Sequence, residues 1–243
     1  MRLGRDIAFA LLGAVLAIVA QGWSRPELEA AIGRSDYCCL EDGTWWQSPH
    51  GWTGTLRPAT FEIGVRERFG NFSLRAAYVD LGKASGENWA LMRDMDFGRF
   101  DPYAGCDVTT RANCLGKFSS SQHVRGILAG AAYGRAIYGA RIEGEIGAYF
   151  YKSQFEVTIY CPQACGAGTG PAFDPPETYK SYSSVRKTPY LGARLYYKNA
   201  FLQWRRFNHI DGNGSVEAED GQFAVGLTNG PVNQLMVGYA LSL

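Results

Sequence analysis

The sequence predicts an all-β chain folded as an eight-stranded antiparallel up-and-down β-barrel. Three observations lead to this prediction. Glycine and aromatic residues are abundant, with 30 glycines and 14% Phe, Trp and Tyr, as is common in strand-rich proteins. Hydrophobicity alternates with a period of two over most of the chain after residue 58, which is the pattern of half-buried strands. Short turn sequences join the alternating segments in pairs, and strands that neighbour one another in sequence close into a barrel without leaving sheet edges.

The first 22 residues have the features of a cleaved export signal. Arg2 and Arg5 precede an apolar run, IAFALLGAVLAIVA, at residues 7–20. This run is shorter than the roughly 20 residues of a transmembrane helix and has the size of a signal-peptide core. The small residues Ala20 and Gly22 suit cleavage before Trp23. We therefore expect a signal peptide at residues 1–22, with an uncleaved membrane anchor as the alternative.

Residues 23–57 are expected to form a short N-terminal helix and an irregular lead-in. A helix is predicted at residues 25–34 (RPELEAAIGR), because Pro26 lies near its start and Gly33 near its end. Three tryptophans follow and are expected to anchor the lead-in at a membrane interface, with a ligand-stacking patch as the alternative. They are Trp45, Trp46 and Trp52.

The barrel domain is expected to cover residues 58–243, and its alternation predicts eight strands in four hairpins. These strands are expected at residues 60–69, 72–81, 119–133, 140–160, 183–197, 201–208, 222–228 and 235–243. Longer connections at residues 82–117, 161–182 and 209–220 separate the hairpins. In this arrangement the long connections lie at the same end of the barrel as the two termini, and the tight turns lie at the other end.

One face of the predicted strands carries charges of both signs, with arginine dominant. Because a buried charge must be paired and an eight-stranded barrel has little lumen, we expect an ion-pair network that fills the interior. A proton or ion path is the alternative. The residues of this expected network are Glu62, Arg66, Arg68, Arg75, Arg141, Glu143, Glu145, Arg194 and Arg205.

A charged interior would turn the apolar face towards lipid, as in transmembrane barrels. Arginine suits this interpretation, because its guanidinium forms bidentate pairs with carboxylates in enclosed sites. Two alternatives remain open. A soluble lipocalin-like barrel would point its apolar face inward and bind a small hydrophobic ligand, and a β-sandwich would bury that face between two sheets.

The end of the chain carries the most specific signal. Leu235 and Val237 begin an alternating strand that ends in Gly238-Tyr239-Ala-Leu241-Ser-Leu243. This ending resembles that of Gram-negative outer-membrane β-barrel proteins, which read Gly-x-x-apolar-x-aromatic, with a leucine here at the last position. Over about residues 58–243 the chain is similar to the small eight-stranded barrels of the OmpA and OmpX kind. Its Trp-Trp-Gln sequence and cysteine-bearing loops also resemble barrels carried by bacteriophages and prophages.

The resemblance implies a place in the outer membrane of a Gram-negative cell, with the lipid bilayer and the outer-membrane insertion machinery as partners. The machinery would recognise Gly238, Tyr239, Leu241 and Leu243. It further implies a structural, surface-interaction or envelope-modifying role, in which the long loops contact a surface ligand or receptor. Small barrels of this kind keep their termini and tight turns on the periplasmic side, opposite to the arrangement predicted above. No cofactor is expected, and the balance of 24 basic and 23 acidic residues argues against nucleic-acid binding.

Six cysteines in an exported chain predict disulfides, although the sequence does not choose among the 15 pairings that six cysteines allow. They are Cys38, Cys39, Cys106, Cys114, Cys161 and Cys165. No metal site is predicted, because there is no Cys-x-x-Cys and the three histidines are scattered. A lipid-modifying barrel enzyme would use His123 or His209, but no spacing around them is specific, so we do not expect an enzyme.

Overall fold

The computed structural model describes residues 26–37, 52–55, 57–91, 115–161, 173–211, 213–218, 221–226 and 230–243. The signal peptide predicted at residues 1–22 lies outside this part of the chain. Every regular element within it is a β-strand. The strands are β1 (Glu27–Tyr37), β2 (Trp52–Thr55), β3 (Ala59–Phe69), β4 (Phe72–Leu91), β5 (Leu115–Ile137), β6 (Ala140–Cys161), β7 (Phe173–Tyr182), β8 (Arg186–Tyr197), β9 (Ala200–Ile210), β10 (Asn213–Ala218), β11 (Gly221–Gly226) and β12 (Gly230–Ser242).

Eight of these strands close into one antiparallel barrel, which confirms the predicted fold class. Going round the barrel, β3 pairs with β1, β1 with β12, and then β9, β8, β6, β5 and β4 lead back to β3. The seam between the first and last strands is long, since Glu27 lies opposite Ser242 and Tyr37 lies opposite Val232. No helix of the described ranges has the length and apolar character needed to cross a membrane.

The pairing register fixes the tilt of the strands. If paired residues are followed from strand to strand once round the barrel, the path that leaves β1 at Tyr37 returns to β1 at Glu27, ten residues away. The path runs through Tyr37, Val232, Phe207, Tyr190, Gly147, Gly130, Arg75, Arg66 and Glu27. A stagger of ten over eight strands tilts them by roughly 40° to the barrel axis at ordinary strand spacings. Such a barrel is just wide enough inside for side chains to fill it.

The helix predicted at residues 25–34 is wrong, because this segment forms most of β1. Its side chains alternate: Ile32 is 67% exposed on the outer face, whereas Glu29 is 1% exposed inside. The supposed helix-stop residue, Gly33, is needed for a close approach of two strands, since a Cβ there would collide with the carbonyl oxygen of Leu235. The first barrel strand therefore lies ahead of residue 58.

The described part of the strand predicted at residues 222–228 does not belong to the barrel. Gly221–Gly226 pairs instead with Asn213–Ala218 in a separate two-stranded sheet. The barrel thus contains β1, which was not predicted as a strand, and does not contain residues 221–226. As a result, the start of β1 and the end of β12 lie at the same end of the barrel as the tight turns. The long connections lie at the other end, so their predicted placement beside the termini is wrong. The tight turns are two-residue turns at residues 70–71, 138–139 and 198–199, and Gly70, Tyr138, Gly139 and Lys198 have the positive φ angles that such turns require.

Three neighbouring strands continue beyond the barrel at the long-connection end. β4, β5 and β6 have 20, 23 and 22 residues, whereas β3, β8 and β9 have 11 or 12. β2 pairs with the outer part of β4 and β7 with the outer part of β6. Together they form a five-stranded sheet in the order β2-β4-β5-β6-β7, called here the projecting sheet. Parts of the connections predicted at residues 82–117 and 161–182 are therefore strand.

Candidate functional site

The interior of the barrel holds a cluster of buried ions, called here the interior network. Four glutamates and four arginines point inward from six different strands, and none is more than 6% exposed. Positive and negative charges are therefore equal in number within this set. The network consists of Glu29, Glu62, Glu143, Glu145, Arg66, Arg75, Arg194 and Arg205.

Glu29 of β1 contacts side chains from three other strands. One of its carboxylate oxygens accepts from Nε of Arg75 at 2.7 Å and from Nη1 of Arg194 at 3.0 Å. The other accepts from the hydroxyl of Tyr196 at 2.8 Å and from Nη1 of Arg66 at 3.3 Å. Hydrogen bonds to ionised groups are the strong ones, so this single carboxylate ties β1 to β3, β4 and β8.

Glu62 and Glu145 form the centre of the network together with Arg205. Glu62 accepts from Nη1 of Arg205 at 2.6 Å and also binds Arg75. Glu145 accepts from the hydroxyl of Tyr190 at 2.6 Å and pairs with Arg194 at 3.1 Å and with Arg75 at 3.4 Å. Each carboxylate thus contacts at least two guanidiniums, which offsets the cost of burying the charge.

Glycines make room for the tyrosine that completes this centre. Gly130 and Gly147 face each other across β5 and β6, and the ring of Tyr190 lies over both. A Cβ at Gly130 would collide with the Tyr190 hydroxyl, which is the group that donates to Glu145. The small residues in the middle of these strands are therefore part of the construction of the network.

The tight-turn end of the network is less buried. Glu143 accepts from Nη2 of Arg66 at 2.8 Å and from Nε of Arg141 at 2.5 Å. Arg68 donates to Glu27 at 3.2 Å, and Arg141 also donates to the carbonyl oxygen of Asn71 in the turn between β3 and β4. Arg68 and Arg141 thus close the network on the side of the tight turns.

The structure brings together all nine charged residues that the sequence indicated for the interior. It adds Glu27 and Glu29, which sequence reasoning missed because they lay in the segment interpreted as a helix. The signal was present, since Glu27, Glu29 and Ala31 alternate with Leu28, Ala30 and Ile32 in the same period of two as the later strands.

Towards the long connections the interior is apolar and aromatic. Tyr149 stacks on Tyr151 and contacts Phe207, with ring centroids 5.4 and 4.9 Å apart. The Tyr149 hydroxyl donates to the carbonyl oxygen of Val79 at 3.0 Å, so its polar atom is satisfied. This layer also includes Tyr37, Leu81, Leu128 and Val232, all at most 1% exposed. A charged layer and an apolar layer therefore lie one above the other inside the barrel.

The outer face is apolar around the barrel. Its large side chains are 45–69% exposed although they lie on paired strands, which is costly in water and favourable in lipid. They include Ile32, Ile63, Leu74, Ile142, Ile146, Leu191, Leu195, Leu202, Leu235 and Val237. This arrangement overturns the soluble alternative with an apolar interior.

The remaining predicted site residues are placed as follows. Tyr239, Leu241 and Leu243 point outward and are 51–60% exposed, and Gly238 lies under the ring of Phe201. Cys161 ends β6. The other cysteines, Cys38, Cys39, Cys106, Cys114 and Cys165, lie outside the described residues, as do Trp45 and Trp46.

The two histidines considered for catalysis lie on different strands. Nε2 of His123 on β5 lies 2.8 and 2.9 Å from the two carboxylate oxygens of Asp80. His209 is on β9, where its backbone N–H donates to Oγ1 of Thr188 at 3.1 Å. Among the residues that the structure describes, no group of His, Cys, Asp and Glu is arranged to hold a metal ion.

Comparison with known proteins gives structural neighbours alone. No protein-family model matches the chain, and the search of curated proteins found no match. Neisserial surface protein A is 11% identical, with 90% of this chain and 97% of that one covered and a TM-score of 0.33. The attachment invasion locus protein of Yersinia pestis, in complex with the heparin analogue sucrose octasulfate, is 14% identical with the same coverage and a TM-score of 0.29. A major outer membrane protein of Thermus thermophilus is 11% identical, with 90% and 100% covered and a TM-score of 0.42.

These identities and TM-scores are too low to say anything about the activity of this chain. Its own geometry is more informative: the strands close on themselves, the charges are inside and the large apolar side chains are outside. In lipid every backbone polar group must be paired, and a closed barrel meets that requirement. The described part of the chain is an eight-stranded transmembrane β-barrel.

Proposed function

We propose that this protein is a sealed outer-membrane barrel that holds the projecting sheet at the cell surface as an interaction surface. The contrast in strand lengths carries this proposal. β3, β8 and β9, with 11 or 12 residues, have about the length that crosses a membrane. β4, β5 and β6 have 20–23 residues, so about ten residues of each extend roughly 30 Å beyond the barrel.

The filled interior supports a sealed barrel rather than a pore. The interior network and the aromatic layer around Tyr149 occupy successive levels of the barrel, and opening a passage would separate buried charges from their partners. We therefore expect the purified protein to produce no steady conductance steps in planar bilayers. Regular channel openings by the wild-type protein would contradict the proposal.

Export by the signal at residues 1–22, insertion through the C-terminal strand and disulfides in the loops complete the proposal. The outward-pointing Tyr239, Leu241 and Leu243 support the insertion step, because they form an apolar outer face at the end of the last strand. A phage or prophage origin would make modification of the host surface the natural role.

Sidedness is tested with two insertions of one epitope tag. The first goes into the connection at residues 92–114, and the matched control goes into the tight turn between Tyr138 and Gly139. We expect antibody to reach the first tag on intact cells and the second only after the outer membrane is permeabilised. The reverse pattern would place the projecting sheet in the periplasm and end its role at the cell surface.

The role of the projecting sheet is tested by shortening one hairpin in register. Ala84 and Gln122 face each other on β4 and β5, so an Asn-Gly turn joining them removes residues 85–121 and leaves the barrel pairing intact. We expect the boiled-versus-unboiled gel shift of a folded barrel to be retained, and attachment of expressing cells to epithelial monolayers to fall to that of cells without the protein. Unchanged attachment would contradict an interaction role for this sheet.

A further inference from the structure

The outer wall of the barrel is interrupted where β8 and β9 separate. Their pairing stops at Tyr190 and Phe207, although β8 continues to Arg186 along β6 and β9 continues to Ile210. Pro189 lies at the point of separation, and a proline has no N–H to donate to a neighbouring strand. The separation is therefore built into the sequence.

A shallow groove of about 680 Å³ lies on the outer face at this point. Its lower part, towards the tight turns, includes Ala131, Ile146 and Leu191, which are all exposed. Its upper part includes Arg206 and Asn208. The groove is thus apolar towards the middle of the barrel and polar towards the long connections.

A second hollow of about 580 Å³ continues the groove upward, since the two share Pro189 and Asn208. It adds Lys187 and His209 to the lining, together with Arg186, which is paired with Asp211. Within the described residues neither Lys187 nor Arg206 forms an ion pair with a carboxylate. The two hollows together are called here the wall groove.

The same change from apolar to basic occurs on four strands around the barrel. In each case, going towards the long connections, the outward-facing residue that follows an apolar one is basic. The pairs are Ile32 and Arg34 on β1, Ile127 and Arg125 on β5, Phe150 and Lys152 on β6, and Trp204 and Arg206 on β9. These residues mark where the apolar band ends, and they place the polar part of the wall groove at the level of lipid headgroups.

We propose that the wall groove binds an anionic membrane lipid, one whose phosphate headgroup carries a net negative charge. The phosphate contacts Arg206 and Lys187, and one acyl chain lies along Ala131, Ile146 and Leu191. Guanidinium and ammonium groups are the usual phosphate partners, and the size of the groove is that of ordinary ligand sites. The proposal rests on the proposed membrane location of the barrel, which brings lipid against the groove. A soluble anion would contact the basic residues but would leave the apolar part of the groove unfilled.

The test uses the full-length protein purified in a neutral maltoside detergent. Dimyristoyl phosphatidic acid is titrated in, and the bound lipid is counted by native mass spectrometry. We expect one lipid to be retained, and Arg206→Gln to weaken its binding about tenfold, since a charge-assisted contact is lost. Arg34→Gln is the matched control, because Arg34 lies at the same boundary on β1, away from the groove, and we expect a change of less than about twofold.

A second variant tests the acyl part of the groove. Ala131→Phe fills the apolar floor without touching a charge, and we expect binding to weaken while the heat-dependent gel shift stays unchanged. Three results would overturn the proposal: equal losses for Arg206→Gln and Arg34→Gln, equal binding of dimyristoyl phosphatidylcholine, or full displacement of the lipid by inorganic phosphate. Loss of the gel shift in the wild-type protein would instead refute the membrane barrel itself.

Discussion

Glu29→Gln is the most informative single change in the barrel, because Glu29 contacts three arginines and one tyrosine. The amide keeps an acceptor oxygen but loses the charge, so the interior set changes from four against four to four positive and three negative groups. Removing one partner of a buried ion pair costs about 3–5 kcal/mol. Because glutamine still accepts one hydrogen bond, we expect a loss of about 3 kcal/mol in the free energy of unfolding.

The measurement is urea unfolding of the protein from lipid vesicles, followed by tryptophan fluorescence. With a denaturant dependence of about 1–3 kcal/mol per molar urea, a loss of about 3 kcal/mol lowers the unfolding midpoint by roughly 1 M or more. Glu156→Gln is the control, since Glu156 makes a partly exposed pair with Lys83 at 3.6 Å and such pairs contribute less than about 1 kcal/mol.

A compensating change makes the test specific for charge balance. Arg194→Met in the Glu29→Gln background restores equal numbers of buried charges, and Arg194 is a direct partner of Glu29 at 3.0 Å. We expect the double variant to lose at least about 1 kcal/mol less than the sum of the two single losses. Additive losses, or a Glu29→Gln protein within about 1 kcal/mol of the wild type, would refute the reasoning that the neutral network stabilises the barrel.

Three further variants test neighbouring parts of the molecule. Tyr196→Phe removes the hydroxyl that donates to Glu29, and we expect a loss of about 1–3 kcal/mol in the same urea assay. Gly130→Val displaces the ring of Tyr190, and we expect a lower unfolding midpoint together with a shift of the Tyr190 NMR signals. Unchanged Tyr190 signals would contradict the close approach of this ring to Gly130. Ala30→Pro removes an N–H from a strand that is paired on both sides, so we expect the gel band of the folded protein to disappear. The control variant Ala30→Val should retain this band. Equal tolerance of both changes would indicate that β1 is not a strand of the barrel.

Much of the barrel was predictable because alternation is a local signal. Residues 140–160 alternate so regularly that β6 was found almost at its true bounds, and the inward charges of β3, β4, β8 and β9 followed from the same pattern. The charged interior and the lipid-facing exterior therefore follow from the sequence alone.

Two elements were misinterpreted because the residues that mark helices and turns also serve strands. Pro26 and Gly33 bracket residues 27–32 like helix boundaries, yet Gly33 is required by the close approach of β12, which no local sequence can show. Conversely, residues 222–228 look like a barrel strand, but the described part, up to Gly226, pairs with β10 and not with β9 or β12. The wall groove was not foreseen either, because it depends on where two strands part.

The position of Glu29 on β1 has a consequence for how the barrel assembles. β1 and β12 lie about two hundred residues apart in the chain, and bringing such distant segments together is the slow part of folding a β protein. Glu29 lies within reach of Arg75 without the seam, because β1 also pairs with β3 and β3 with β4, but Arg194 on β8 meets this carboxylate only when the barrel closes. Closure of the seam therefore gives Arg194 a second close carboxylate, at 3.0 Å from Glu29 beside Glu145 at 3.1 Å, so the closed barrel is held by buried ions as well as by the backbone pairing of its first and last strands.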